Sequence, residues 1–184
     1  MTSTIDPALT ELLNSRIRDV QDYPKPGVLF KDIAPLLADA EAFGALTRAL
    51  AERAKELGAT KVVGLEARGF VLAAPAAFAA GLGFVPIRKK GKLPGDVFSR
   101  SYDLEYGSAT LEVQCDAFEP GEKVLVVDDV LATGGTIAAS LDLVQEAGAE
   151  LVGVVVLMEL GFLTGREKLA PHLHGAPLET LVVV

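Results

Sequence analysis

The chain has 184 residues, half of them hydrophobic, with a formal net charge of −8 and a single cysteine. That length buries a sizeable core in one domain. The acidic balance argues against a nucleic-acid partner held on a basic surface. The lone Cys115 excludes an intrachain disulfide, suits a reducing compartment, and reads as a small core hydrophobe.

Taken in chain order, the elements begin at Asp6-Pro7, a helix start with Leu9, Leu12, Leu13 and Ile17 on one face. The first thirteen residues lack the basic start and apolar run of a signal peptide. Tyr23-Pro24-Lys25-Pro26-Gly27 breaks the pattern and predicts a loop. Asp39 caps a helix over 40–57 whose apolar stripe is Phe43, Leu46, Leu50, Ala54 and Leu57, and Gly58 ends it. Residues 61–65 predict a strand, after which Glu66-Ala67-Arg68-Gly69 opens an alanine-rich helix over 70–80.

Residues 69–87 carry no charge and precede Arg88-Lys89-Lys90. Length alone permits a membrane span there. Pro75, Pro86 and glycines at 69, 81 and 83 make a buried helix, a stop at Gly81 and a buried strand over 84–88 the better reading. A soluble, cytoplasmic protein with no membrane partner is expected. Residues 91–107 form a long, polar, glycine-containing loop, and such a loop in a compact domain is usually functional. Residues 110–114 alternate like a returning hairpin arm. A strand at 124–127, a helix over about 134–147, a strand at 151–157 and a short last strand at 181–184 complete the pattern. Strand–helix alternation of this kind predicts an α/β fold: a mainly parallel, twisted sheet flanked by helices, with right-handed crossovers.

One stretch points to chemistry. Val124-Leu125-Val126-Val127 reads as a strand buried on both faces and runs into Asp128-Asp129. Val130-Leu131-Ala132-Thr133-Gly134-Gly135-Thr136 follows and opens a helical pattern. Open α/β sheets bind ligands at the carboxyl ends of their strands. A turn of small residues exposes consecutive backbone N–H groups, and the helix start adds the positive end of its dipole. Thr133 and Thr136 add hydroxyl donors. This turn suits a phosphate. The two aspartates repel a phosphate but accept hydrogen bonds from a ribose cis-diol, so the implied ligand is a sugar phosphate. No Gly-Lys-Ser/Thr follows a glycine loop, and no clean G-x-G-x-x-G follows a strand.

Residues 128–136 resemble the phosphoribosyl-pyrophosphate (PRPP) motif of type I phosphoribosyltransferases. Further segments are similar, in order, to the adenine-using members of that family. They are residues 23–33, like the base-binding segment; residues 64–70, like the pyrophosphate loop; residues 88–95 and 101–107, like the catalytic flap; and residues 165–169. The resemblance implies the fold of that family over residues 1–184, with an N-terminal hood over about 1–38 and a flexible flap hairpin over about 91–117. It implies a reaction, adenine plus PRPP giving AMP and pyrophosphate, with Mg2+ carried mainly by PRPP and pyrophosphate, usually in a homodimer.

The resemblance also assigns roles. Residues 132–136 take the 5′-phosphate, and Asp128 and Asp129 the ribose hydroxyls. Ala67 and Arg68 face pyrophosphate, and Arg88, Lys89 and Lys92 supply positive charge. Phe30 stacks on the purine, with Val130 on its other face, while the backbone of Leu29 and Lys31 reads the ring edge. Glu105 accepts the proton that the base N–H loses, with Tyr106 beside it donating a hydrogen bond or packing. The residues alone leave alternatives open: Phe30 as ordinary core, residues 88–92 as a solvated basic run, Glu105 as plain surface. His172 and His174 read as surface or structural residues rather than metal ligands, and no protein metal site is expected. A PRPP-binding regulator of transcription is disfavoured by the acidic charge.

Overall fold

The computed structural model describes residues 6–103 and 107–184. They fall into two compact units, Met1–Ala49 and Leu50–Val184.

The first unit holds α1 (Pro7–Asn14), β1 (Arg18–Gln21), β2 (Leu29–Asp32), α2 (Ala34–Ala38) and the start of α3 (Ala40–Glu56). Asp6 caps α1 by accepting from the Ala8 N–H at 2.9 Å, with Pro7 at the first helical position. Asp39 caps α3, its Oδ1 accepting from the N–H groups of Glu41 and Ala42 at 3.0 Å each. Its other oxygen accepts from Arg16 Nε at 2.7 Å, and the Arg16 hydrogen bond holds the Asp39 carboxyl below its usual range. Strands β1 and β2 pair antiparallel, Val20 opposite Phe30, around the predicted loop. Gly27 sits in that loop at φ +85°, its N–H donating to Asp22 Oδ1 at 2.7 Å.

The second unit is built on β3 (Lys61–Leu65), α4 (Arg68–Ala80), β4 (Gly83–Lys89), β5 (Val97–Asp103), β6 (Ser108–Gln114), β7 (Lys123–Leu131), α5 (Gly135–Glu146), β8 (Glu150–Glu159), α6 (Gly165–Leu169), a 3-10 turn (Ala170–His172) and β9 (Leu178–Val183). The sheet order is β5-β6-β4-β3-β7-β8-β9. Strands β4, β3, β7, β8 and β9 run parallel, and β5 and β6 add an antiparallel end. The mainly parallel sheet flanked by helices is therefore the observed architecture. From β3 the chain crosses over to β4 on one side, and from β7 it crosses to β8 on the other. The strand order reverses between β3 and β7, and such a switch point opens a crevice at the strands' carboxyl ends.

Packing follows the alternation of side chains. Val63, Leu65, Val124, Val126, Ile137, Leu141 and Val156 join one buried cluster. Gly64 points the other way, where an added Cβ would lie 2.8 Å from the Ala73 Cβ on α4, so a larger residue would push the helix off the sheet. Residues 137–141 of α5 are buried without a break, because the sheet covers one side and the antiparallel end curls over the other. Among the described residues, no helix is long and apolar enough to cross a membrane.

Three expectations need correction. Strand β7 does not end at Val127 but continues through Asp128 and Asp129 to Leu131, because its ladder with β8 runs on to Leu131 opposite Glu159. The loop expected over 91–107 contains β5, with Phe98 and Tyr102 packed against the core cluster. Cys115 is exposed rather than part of the core.

Candidate active site

Two chain segments meet at the switch point. The first is Glu66-Ala67-Arg68, between the end of β3 and the start of α4; its Glu66–Ala67 peptide is cis. Glu66 Oε2 accepts from the Lys89 N–H at 2.9 Å and from Arg88 Nε at 3.2 Å. Burial opposes the charge of Glu66, but the Lys89 amide and the Arg88 guanidinium outweigh it and hold the carboxyl below its usual range. Gly69, in the first turn of α4, passes so close to β7 that a Cβ would sit 2.7 Å from Asp128 Oδ1. Only a residue without a side chain lets this helix start against the aspartate pair.

The second segment is the end of β7 and the turn 132–134 that opens α5. Gly134 caps the helix at φ +81°, a backbone region that favours glycine. A brace lies behind the turn. The Leu160 N–H donates to Leu131 O at 2.9 Å, and a Cβ on Gly165 would lie 2.1 Å from Ala132 O. Arg166, next in α6, grips Glu159 through Nε at 3.1 Å and Nη2 at 2.5 Å, and Thr180 Oγ1 donates to the same carboxylate at 2.8 Å. The Arg166 hydrogen bond, against some burial, keeps Glu159 below its usual range.

Between the two segments lies a cleft of about 380 Å³. Ala67 and Arg68 line one wall; Asp128, Asp129 and Val130 form the floor; Ala132, Thr133, Gly134, Gly135 and Thr136 form the other wall. These are ten of the residues expected to bind substrate. Glu66, from the segment like the pyrophosphate loop, also lines it, as does Ile137, whose place at a helix start was the signal for it.

The aspartates are buried. Burial raises the carboxyl of Asp128 well above its usual range, and the neighbouring Asp129 charge adds to this. Burial raises Asp129 too, opposed by Arg68, whose Nε lies 2.6 Å from Asp129 Oδ2. The half-exposed Arg68 is thus a cation at the rim, linked to the floor. The wall at 132–136 offers backbone donors, the N-terminus of the twelve-residue α5 and two hydroxyls. Thr136 Oγ1 donates to Tyr102 OH on β5 at 3.2 Å. The arrangement can hold an anion on the wall and a diol on the floor.

Arg88, Lys89 and Lys92 are not in the cleft lining. Arg88 Nη1 donates to Lys92 O at 3.2 Å while its Nε serves Glu66, so this guanidinium buttresses the first segment. Lys89 and Lys92 are exposed. Leu29, Phe30 and Lys31 belong to β2 of the first unit, where Phe30 is half-buried and packs edge-to-face with Tyr23, centroids 5.1 Å apart. Glu105 and Tyr106 lie outside the described residues. His172 Nδ1 lies 2.7 Å from Asp142 Oδ1, tying the 3-10 turn to α5, a structural use of the residue.

Comparison with known proteins bears on this geometry. Residues 36–175 match the phosphoribosyl transferase domain family. The chain is similar to the adenine phosphoribosyltransferase of Streptomyces coelicolor, 68% identical over 176 residues that span 96% of this chain and 97% of that one. The crystal structure of adenine phosphoribosyltransferase from Rhodothermus marinus superposes with a TM-score of 0.88 at 46% identity, covering 97% of this chain and 100% of that one. The Saccharomyces cerevisiae enzyme, in complex with an imino-altritol bisphosphate and adenine, gives a TM-score of 0.88 at 39% identity over 96% of this chain and 99% of that one.

Proposed function

Because the chain belongs to the phosphoribosyl transferase family, and within it with the adenine phosphoribosyltransferases, we infer that it is a purine salvage enzyme joining adenine to PRPP to give AMP and pyrophosphate. The observation that carries this is the aspartate pair on the floor of a cleft whose wall is a glycine turn at a helix start. Incubation with adenine, PRPP and Mg2+ is expected to yield AMP, followed by coupled assay or chromatography. Consumption of only guanine, hypoxanthine, xanthine or orotate would refute the adenine assignment and leave the family.

In this reading a base nitrogen attacks C1 of the ribose, the new C–N bond forms, and the C–O bond to pyrophosphate breaks with its electron pair leaving on oxygen. Positive charge builds on the sugar and negative charge on the leaving group. The protein's part is to place both in line and to hold the charges. Residues 132–136 hold the 5′-phosphate. Asp128 and Asp129 accept from the ribose hydroxyls. Ala67 and Arg68 meet the pyrophosphate, Arg68 with a guanidinium able to fork onto phosphate oxygens. Glu105 takes the proton from the base, with Tyr106 beside it, and the flap excludes water that would hydrolyse the reactive sugar. Lys89 and Lys92, exposed at the approach to β5, add positive charge for an anionic substrate.

A magnesium ion carried in by PRPP fits the donor set. Asp128 and Asp129 offer hard oxygen donors nearby, and no three His, Cys, Asp or Glu side chains among the described residues form a cage, so substrate oxygens and water would complete its shell. When bound, it neutralises charge on the pyrophosphate.

Phe30 is the proposed purine-stacking residue, with the backbone of Leu29 and Lys31 reading the ring edge. Its half-buried place on β2 supports this over a role as plain core. Phe30→Ala is expected to raise the Michaelis constant for adenine about tenfold, as for loss of about 1–1.5 kcal/mol of ring contact, with that for PRPP little changed. A normal adenine constant with a lowered melting temperature would make Phe30 structural.

A homodimer belongs to the same proposal. On α4, Val71 is 43% exposed and Phe78 89%, seven residues apart on one helix face, which supports burial against a second copy.

A further inference from the structure

Thr136 lines the cleft, and a tyrosine from another element, outside the lining, meets its hydroxyl from behind. Tyr102 lies on β5, opposite Ala109 in the hairpin ladder, with its ring packed against the core cluster. Its hydroxyl meets Thr136 Oγ1 at 3.2 Å, in the first turn of α5. Two residues earlier, Arg100 Nη2 donates to Glu146 Oε2 at 2.9 Å, in the last turn of the same helix. Strand β5 is therefore tethered to both ends of α5, once by an ion pair and once by two hydroxyls at the candidate phosphate wall.

The hydroxyl pair has a directional constraint. Each hydroxyl carries one proton and two lone pairs, and the proton rotates freely. A phosphate oxygen only accepts. To serve a phosphate, Thr136 must turn its proton away from Tyr102, and the contact then survives only if Tyr102 donates to the freed lone pair. A phenol can do this. The outcome is a chain, Tyr102 O–H to Thr136 Oγ1 and Thr136 O–H to phosphate, in which each hydrogen bond polarises the next. The ring packing fixes where the phenol oxygen stands, so only its proton has to turn when the ligand arrives.

We propose that Tyr102 is a positioning residue for PRPP: its hydroxyl orients Thr136 toward the 5′-phosphate and ties occupancy of that wall to the first strand of the hairpin. This rests on the reading of residues 132–136 as the 5′-phosphate site, and the two can be tested apart. Tyr102→Phe keeps the ring and removes one oxygen.

The experiment is a double-mutant cycle with Tyr102→Phe, Thr136→Ala and the pair, reading PRPP and AMP affinity by calorimetry and the Michaelis constant of adenine, which has no phosphate. Tyr102→Phe is expected to weaken PRPP and AMP about three- to tenfold, the size of one hydrogen bond, with adenine and the melting temperature little changed. In the pair, Tyr102→Phe should add almost nothing to the loss from Thr136→Ala, because the relay is already cut. Additive losses, or an unchanged PRPP affinity in Tyr102→Phe, would overturn the proposal. An equal loss for adenine with a lowered melting temperature would also overturn it, by making the role structural. If Thr136→Ala itself binds PRPP and AMP normally, the phosphate assignment of the wall falls and takes this proposal with it.

Discussion

Replacing Asp128 and Asp129 together by Asn is expected to weaken PRPP binding about 10²- to 10⁴-fold. Each carboxylate is the proposed acceptor for a ribose hydroxyl, and a hydrogen bond to a charged group is worth about 1.5–3 kcal/mol; two such losses convert to that range at about 1.4 kcal/mol per factor of ten. The same burial gives the affinity a pH dependence. Burial, with the Asp129 charge adding to it at Asp128, raises the carboxyls. PRPP affinity should therefore fall as pH drops through that raised range, earlier than for an ordinary carboxylate. Stability without substrate runs the other way. A carboxyl raised in the folded state contributes stability that is present below the ordinary carboxylate range and is lost as pH rises through the raised one. Asn does not titrate, so the melting temperature of the variant relative to the parent should rise with pH across that window. Calorimetry and thermal melting across pH read both effects. An unaltered PRPP affinity in the double variant would remove the diol role.

Glu105→Gln is expected to lower turnover by about 10²-fold or more while leaving PRPP affinity little changed, since it removes a proton acceptor and keeps the shape. Strands β5 and β6 stay paired up to Asp103 opposite Ser108. Steady-state kinetics at saturating PRPP decides it. Weak PRPP binding with normal turnover at saturation would place Glu105 in binding instead, and full activity would make it surface.

Much of this was legible because local chemistry announced it. Asp6 with Pro7, and Asp39 before an apolar stripe, are helix starts in any context, and both cap as expected. The aspartate pair and small-residue turn stood at a strand end, where α/β sheets bind ligands. What escaped depends on partners distant in sequence. Strand β7 runs past its apolar residues only because β8 supplies a ladder for Asp128. Strand β5 was hidden because Arg100 interrupts the apolar alternation of Phe98 and Tyr102, and its partner Glu146 lies 46 residues away. Arg88 read as a source of positive charge, and its partner Glu66 lies 22 residues away. Gly165 stood in a segment marked by resemblance alone, and its physical reason is the Ala132 carbonyl against it, distant in sequence.

The pairing of β3 with β7 has a consequence for how this protein comes to exist as a binder. Lys61 opposite Val124 is a contact across 63 residues, and the two walls of the cleft sit at the far ends of these two strands. No contiguous fragment of moderate length holds both. Closing so long a loop costs entropy that must be met before any ligand can be gripped. A ligand held across it recognises the native state alone. At a hundredfold excess over its dissociation constant it would shift the folding equilibrium by about 2.7 kcal/mol, so the metabolite pool would act on the enzyme's lifetime as well as its rate.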